Sequence, residues 1–213
     1  MLDMGFEDDL RIIFGQTPKQ VQTLLFSATF TEQIERVAKQ YLHNPVTCKV
    51  EAQESKPAIT QLGYNVLPHT RTQALKAVLT HYQPKNAIVF CNRKTQVNEV
   101  VEELIEDGFS AAGLQGDLEQ HQRTSVLMQF ASDALQVLVA TDVAARGLDI
   151  DDVACVINYM VSEEPETHIH RIGRTARAGA QGMAVTLVSD DEEHFLRKIE
   201  VLQESDIPLK GAQ

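Results

Sequence analysis

Three arginines fall inside one seven-residue window, Arg171-Ile172-Gly173-Arg174-Thr175-Ala176-Arg177, introduced by His170 and closed by Ala178-Gly179. Like charges three residues apart on a helix repel one another, so the spacing gains a fold nothing by itself. It makes sense in front of a polyanion. Guanidinium groups stay charged at any working pH, and their fork geometry fits phosphate oxygens. A solvated basic helix face would favour long helix-forming polar residues, whereas this window carries glycine and neither Lys nor Glu. The chemistry implied is phosphate binding by the cluster.

Other polar residues follow short apolar runs. Asn92-Arg93-Lys94 follows Ala87–Phe90, Gln115-Gly116-Asp117 follows Ala111–Leu114, and Thr141-Asp142 through Arg146-Gly147-Leu148-Asp149 follows Val137–Ala140. Further continuous runs lie at Val153–Ile157 and Ala184–Val188. Runs of this kind read as strands buried on both faces. Helical periodicity separates them. It covers about 71–82 with Ala74, Leu75, Val78 and Leu79 inward, and about 119–130. A third stretch, about 95–107, has Val97, Val100, Val101, Leu104 and Ile105 inward and Gly108 as its stop. His81-Tyr82-Gln83-Pro84 reads as a helix end. Alternation at this spacing predicts βαβ units and an open, mostly parallel sheet flanked by helices, with ligand loops at the carboxyl ends of the strands. Gly116 and Gly147 allow backbone N–H groups close approach to an anion.

The first 50 residues form a separate group. Helices are expected at Phe6–Phe14 and Thr31–Leu42, and strands at Thr23–Phe26 and Val46–Val50. Residues 51–60 are polar, aperiodic and carry Pro57, as linkers do. Two strands are too few for an independent sheet. Residues 1–50 therefore read as the tail of a domain whose start lies elsewhere, with open strand edges and uncovered apolar surface. A stable unit is expected from about Gln61 onward.

Net charge is −11. A dedicated nucleic-acid binder normally carries a basic footprint, but binding is local, and an arginine strip on an acidic body still holds phosphates in a salt-dependent way. Cys48, Cys91 and Cys155 are scattered and odd in number. They exclude a disulfide framework or a Cys-x-x-Cys zinc site and fit a reducing cytoplasm. Cys91 and Cys155 read as inert core residues. His168 and His170, two apart, suit no helical zinc pair, so no metal site is read. No apolar run approaches the roughly 20 residues that span a bilayer. The four tyrosines are scattered and offer no base-stacking platform.

Taken in order, Ser27-Ala28-Thr29, Phe90-Cys91-Asn92, Gly116-Asp117 with Gln120-x-x-Arg123, Thr141-Asp142 through Ala145-Arg146-Gly147-Leu148-Asp149, and His170-Arg171-Ile172-Gly173-Arg174-Thr175-x-Arg177 resemble the carboxyl-terminal half of a bacterial-type DEAD-box ATP-dependent RNA helicase. Met1–Phe6 resembles the segment after that family's Asp-Glu-Ala-Asp box. The resemblance implies the tail of a first RecA-like domain (1–50), a linker (51–60) and a second RecA-like domain (61–213). It implies Arg174 and Arg177 on the γ-phosphate of ATP, Asp149 and Gly147 beside the nucleotide, and His170, Ser27 and Thr29 in coupling between sites. It places Asn92, Arg93, Gly116, Arg123 and Thr141 along the RNA backbone, with little sequence preference. Thr141 also suits a helix cap.

Two residues depart from the family pattern. Gln115 stands where histidine is usual, and Ala176 stands where glycine is common and is expected to favour helix. A Gly-x-x-x-x-Gly-Lys-Thr loop and an Asp-Glu-Ala-Asp box are absent from the chain. The groups that hold the β-phosphate and Mg²⁺ are therefore expected on a first domain not contained here, and no ATPase is expected from this polypeptide alone. Three other readings stay open: a non-catalytic RNA-binding or regulatory module, a relative acting on DNA, and a dinucleotide-binding oxidoreductase. The last lacks Gly-x-Gly-x-x-Gly after its first strand.

Overall fold

The computed structural model describes residues 7–18, 20–27, 32–48, 59–146, 148, 150, 152–176 and 181–211. The chain divides into two compact units, Met1–Gln53 and Glu54–Gln213.

The first unit contains helices α1 (Glu7–Gln16) and α2 (Glu32–Tyr41). Both lie where helices are expected, and Phe14 stacks on Tyr41 with ring centroids 4.3 Å apart. The strands expected at 23–26 and 46–50 are absent from the described residues, where 21–27 and 45–48 are irregular. A strand exists only through its ladder, and β-rich sequence without a paired neighbour has nowhere to place its backbone hydrogen bonds. Leu24, Phe26 and Val46 are exposed, Phe26 at 89%. Uncovered apolar surface was expected there and is found.

The second unit is a seven-stranded sheet in the order β3-β4-β2-β5-β6-β1-β7, with every pair parallel. The strands are β1 (Ile59–Asn65), β2 (Ala87–Cys91), β3 (Ala111–Leu114), β4 (Val137–Thr141), β5 (Cys155–Asn158), β6 (Gly182–Val188) and β7 (Leu209–Lys210). The helices between them are α3 (Arg71–Tyr82), α4 (Lys94–Glu106), α5 (Gln120–Ala131), the single turn α6 (Asp142–Ala145), α7 (Pro165–Ile172) and α8 (Glu193–Gln203). Successive strand residues alternate faces, and the core divides accordingly. Ala87, Val89, Val137 and Val139 pack with Leu75, Leu79, Val97 and Leu104 of α3 and α4. Ile88, Phe90, Leu138 and Ala140 pack with Phe130 of α5.

Ile105 departs from its expected place. It is 53% exposed, because Val97, Val100 and Leu104 already complete a stripe along α4 and the next position turns away. Gly108 ends that helix at φ +85°, with Phe109 N–H donating to the Leu104 carbonyl at 2.9 Å. β1 and β7 were not foreseen. β1 reads Ile-Thr-Gln-Leu-Gly-Tyr-Asn, without the apolar run that marked the central strands, and it begins at Ile59 within the stretch read as linker. Residues 51–58 of that stretch lie outside the described residues.

The turn after α7 rests on β6. A Cβ at Gly182 would come within 2.3 Å of Thr175 Oγ1 and 2.8 Å of the Ala176 nitrogen. Ala176 does not extend a helix as expected. Its φ is +58°, the left-handed region where glycine carries no Cβ penalty. Opposite effects should follow at this one turn. Gly182→Ala is expected to destabilise by about 1–3 kcal/mol through overpacking. Ala176→Gly should stabilise by up to about 1 kcal/mol through relief of strain. Urea midpoints measure both, and a stabilised Gly182→Ala contradicts this packing.

Candidate functional site

Register brings the candidate residues together. Cys91 of β2 pairs with Thr141 of β4, Phe90 with Asn158 of β5, and Leu114 of β3 with Ala140 of β4. The loops opening at Asn92, Gln115, Asp142 and Tyr159 therefore emerge side by side along one edge of the sheet.

Asn92, Arg93 and Gly116 are exposed. Arg93 N–H donates to Gln96 Oε1 at 3.2 Å as α4 begins. Lys94 pairs with Asp117 between the β2 and β3 loops, and its side chain passes beside Gly116, 3.7 Å from where a Cβ would stand. Thr141 caps α6 through its hydroxyl oxygen, which accepts from Ala144 N–H at 3.4 Å. Arg123, on α5, donates to the Ala144 carbonyl. Gln115 donates to Asn98 at 3.5 Å, so the residue in the usual histidine place rests along α4.

The arginine window divides. α7 ends at Ile172 and Gly173 caps it, so Arg171 and Arg174 do not share a regular helix. Arg171 is 2% exposed, and all five of its N–H groups are used. Nε and one Nη2 hydrogen reach the two oxygens of Asp142, both at 2.7 Å. The second Nη2 hydrogen goes to Asn92 Oδ1 at 3.0 Å. Nη1 donates to Asn158 Oδ1 at 3.2 Å and to the Met160 carbonyl at 3.1 Å. Its plane stacks near Phe90, 5.3 Å from the ring centroid. The expectation that the cluster as a whole faces a polyanion fails at Arg171, which has no donor left for a phosphate.

Arg174 is half-buried and donates from Nη1 to the Leu148 carbonyl at 3.1 Å. His170 is exposed. His170, Arg174 and Arg146 line one shallow depression of about 30 Å³ together with Asp142 and Thr167. Arg146 had been given no role in the sequence, although it stands in the loop that follows β4. Gly147, Asp149, Arg177 and Thr29 lie outside the described residues. Ser27 belongs to the first unit and is exposed on irregular backbone. Among the described residues no group of three or more His, Cys, Asp or Glu side chains is placed to hold a metal.

A polar thread missed by periodicity runs inward from Arg171. His168 is fully buried. Its Nε2 lies 3.2 Å from Gln61 Oε1, and its Nδ1 lies 3.5 Å from Asn158 Nδ2. Gln61 in turn donates to Gln203 at 3.0 Å, which leaves its oxygen as the acceptor. The neutral tautomer with hydrogen on Nε2 satisfies every partner. Burial, reinforced by the Arg171 charge, pushes the His168 pKa down to about 4. Cys91 and Cys155 are buried as expected, and burial pushes both thiols up to about 12.

The family model "Helicase conserved C-terminal domain" matches residues 70–179. The DEAD-box ATP-dependent RNA helicase CshA of Bacillus subtilis is 44% identical over 201 residues, covering 94% of this chain and 41% of the relative. The ATP-dependent RNA helicase DbpA of Escherichia coli is 42% identical over 192 residues, covering 90% of this chain and 42% of that protein. The chain thus spans about two-fifths of these relatives. Among solved structures, S. cerevisiae Dbp5 bound to RNA and ADP BeF3 superposes with a TM-score of 0.87 at 28% identity, covering 97% of this chain and 56% of the other. The E. coli DEAD-box protein SrmB bound to the regulator RraA gives 0.68 at 35% identity, covering 71% of this chain and 90% of the other.

His168 makes stability pH-dependent. Its folded pKa lies below the ordinary value of 6.5, so the unfolded chain binds the extra proton. The stabilisation is complete above pH 6.5 and declines as pH falls toward 4. Between pH 7 and 5 the expected loss is about 2 kcal/mol. Urea unfolding at pH 7, 6 and 5 should show it, and His168→Gln should remove that slope. An unchanged slope in the variant counts against the neutral buried imidazole.

Proposed function

The chain belongs to the DEAD-box ATP-dependent RNA helicases and carries their conserved carboxyl-terminal helicase domain, and from that membership we propose that it serves as the lobe that supplies cations to a nucleotide bound by another lobe while its strand-end loops hold an RNA backbone. Residues 1–50 are then the tail of the first RecA-like domain, and the connection first read at 51–60 gives way to the second domain where β1 begins at Ile59. The whole enzyme would remodel RNA by ATP-driven closure of the two lobes. The observation that carries the reading is the grouping of His170, Arg174 and Arg146 at one depression, beside the loops that open at Asn92, Gln115 and Asp142.

The donor set fits a phosphate. Arg174 and Arg146 bring guanidinium groups, and the one carboxylate lining the depression among the described residues, Asp142, has both oxygens engaged by Arg171. It therefore adds little repulsion to an incoming anion. Arg177, Asp149 and Gly147 join this group on the family pattern. Bound ATP with Mg²⁺ would supply the phosphoryl group to be hydrolysed, with most ligands on the first lobe. Arg174 would stabilise charge on it, His170 and the segment carrying Ser27 and Thr29 would relay contact between lobes, and Thr141 has a hydroxyl hydrogen to offer an RNA phosphate. Asn92, Arg93 and Gly116 stand in the same loops and Arg123 on α5, and phosphate and sugar contacts of this kind carry little sequence information. Two buried, unpaired thiols are in keeping with a cytoplasmic home. Among the described residues no helix is long and apolar enough to cross a membrane.

Alone, the chain is expected to release no phosphate from ATP above background, because it contains no phosphate loop. Mixed with a separately made first lobe at concentrations that force pairing, it should restore turnover. Arg174→Ala and Arg177→Ala should each lower that turnover by about 10³ or more. Full turnover from the chain alone, or activity in trans indifferent to both arginines, defeats the assignment. RNA binding that ignores nucleotide in the paired lobes favours a non-catalytic binding module instead.

A further inference from the structure

We propose that Arg171 fixes the polarity of the Asn92 side chain, so that the loop after β2 presents hydrogen-bond donors, and only donors, to an RNA phosphate. Arg171 is thereby a positioning residue for RNA that never touches it. The inference rests on the proposed RNA role of these loops and goes one step deeper.

A free asparagine amide offers an oxygen acceptor at one end and two N–H donors at the other, and turns to suit its surroundings. Beside Arg171 that freedom ends. Arginine has five donors and no acceptor, so only the Asn92 oxygen can face it, and Nη2 does donate to Oδ1 at 3.0 Å. The two Nδ2 hydrogens are left on the exposed side of the residue. A phosphate oxygen is a pure acceptor, so the orientation matters in sign as well as strength. With the amide reversed, an oxygen would meet an oxyanion.

The arginine cannot drift from this task. Its other four N–H groups are held by Asp142, Asn158 and Met160, and it is 2% exposed. These partners sit at the ends of β4 and β5, the two strands flanking β2. The amide orientation is thus set against a rigid frame. The same contacts engage the Asp142 carboxylate, while Lys94 engages Asp117. Asp142 and Asp117 are thus each paired with a cation, and Arg93 stands next to the oriented amide.

The test uses the whole chain with a ten-nucleotide single-stranded RNA, read by fluorescence anisotropy as a function of salt, with urea midpoints alongside. Asn92→Asp keeps an acceptor for Arg171 and should retain or raise the urea midpoint, yet it turns a carboxylate oxygen toward the phosphate. RNA affinity should fall tenfold or more, and further than in Asn92→Ala. Arg171→Lys keeps the charge but loses the fork. It should weaken RNA binding several-fold without altering the dependence of log affinity on log salt, because no phosphate contact is removed. A cation that touches phosphate, such as Arg93→Gln, should instead flatten that dependence by about 0.7. Asn92→Asp binding RNA as well as Asn92→Ala overturns the polarity argument alone, as does an unchanged affinity in Arg171→Lys. A salt slope that falls in Arg171→Lys shows direct contact and also overturns it. No RNA binding by the unaltered chain removes the underlying RNA reading as well.

Discussion

A guanidinium buried at the carboxyl ends of three neighbouring strands is the constraint on which the rest of this domain depends. Taking such a charge out of water costs several kcal/mol, repaid only when geometry is close to ideal and every donor is satisfied. Arg171 meets that condition with five hydrogen bonds, two of them in a fork on Asp142. Because the partners come from the ends of β2, β4 and β5, the charge can be satisfied only if those strands stand in their observed register. A slip of one residue would leave Asp142 or Asn92 out of reach, so register and site geometry stand or fall together.

A second arginine does the same at the neighbouring strand. Arg71, 5% exposed, opens α3 and donates to the carbonyls of Tyr159 and Leu187, to Ser189 Oγ and to Glu192. The two buried cations thus meet at the end of β5, which Arg171 ties to β2 and β4 and Arg71 ties to β6. The rigidity this provides is local to the carboxyl edge, where loops carry function and would otherwise be the least ordered part of an open sheet. An acidic body and the proposed anionic ligand are compatible at the same place. The net charge of −11 is an average over the surface, while a Debye length of about 8–10 Å restricts what a bound phosphate senses to its immediate surroundings. Beside these loops the acids Asp142 and Asp117 are already paired.

The parts legible in the sequence were those fixed by burial on both faces. β2, β4, β5 and β6 follow from continuous apolar runs, since central parallel strands contact helices above and below, and α3, α4 and α5 follow from 3.6-residue periodicity. β1 and β7 lack that signal because they lie toward one side of the sheet, where Gln61 and Tyr64 are half-buried and Leu209 is 40% exposed. The candidate residues were legible as spacing, which put Asn92, Gly116 and Thr141 at strand ends without structural help. Their hydrogen-bond partners were not. That Arg171 serves the interior and Arg174 the surface depends on which way each side chain leaves the helix end, and a charge run carries no mark of that. The same holds for Ala176, whose high helix propensity pointed to helix while its neighbours force a left-handed turn.

The three-residue spacing that seemed useless to a helix acquires a reason from this division. α7 stops at Ile172, so a residue in its last turn points into the domain while one just beyond the Gly173 cap is released from the helical direction. Arg171 and Arg174 are close in sequence yet face different media, and their mutual repulsion is offset by the Asp142 carboxylate on one and the Leu148 carbonyl on the other. Positioning then passes from the first to the second through a rigid connection of only two residues, Ile172 and Gly173. Ile172 is buried at 5% exposure, and the Gly173 N–H is held by the Ile169 carbonyl at 3.0 Å. In the proposed role, where Arg174 meets a phosphate on another lobe, the cation needs a fixed origin, because each unfixed rotor weakens alignment at the moment of reaction. In that role buried Arg171 would supply the origin from which half-buried Arg174 reaches out.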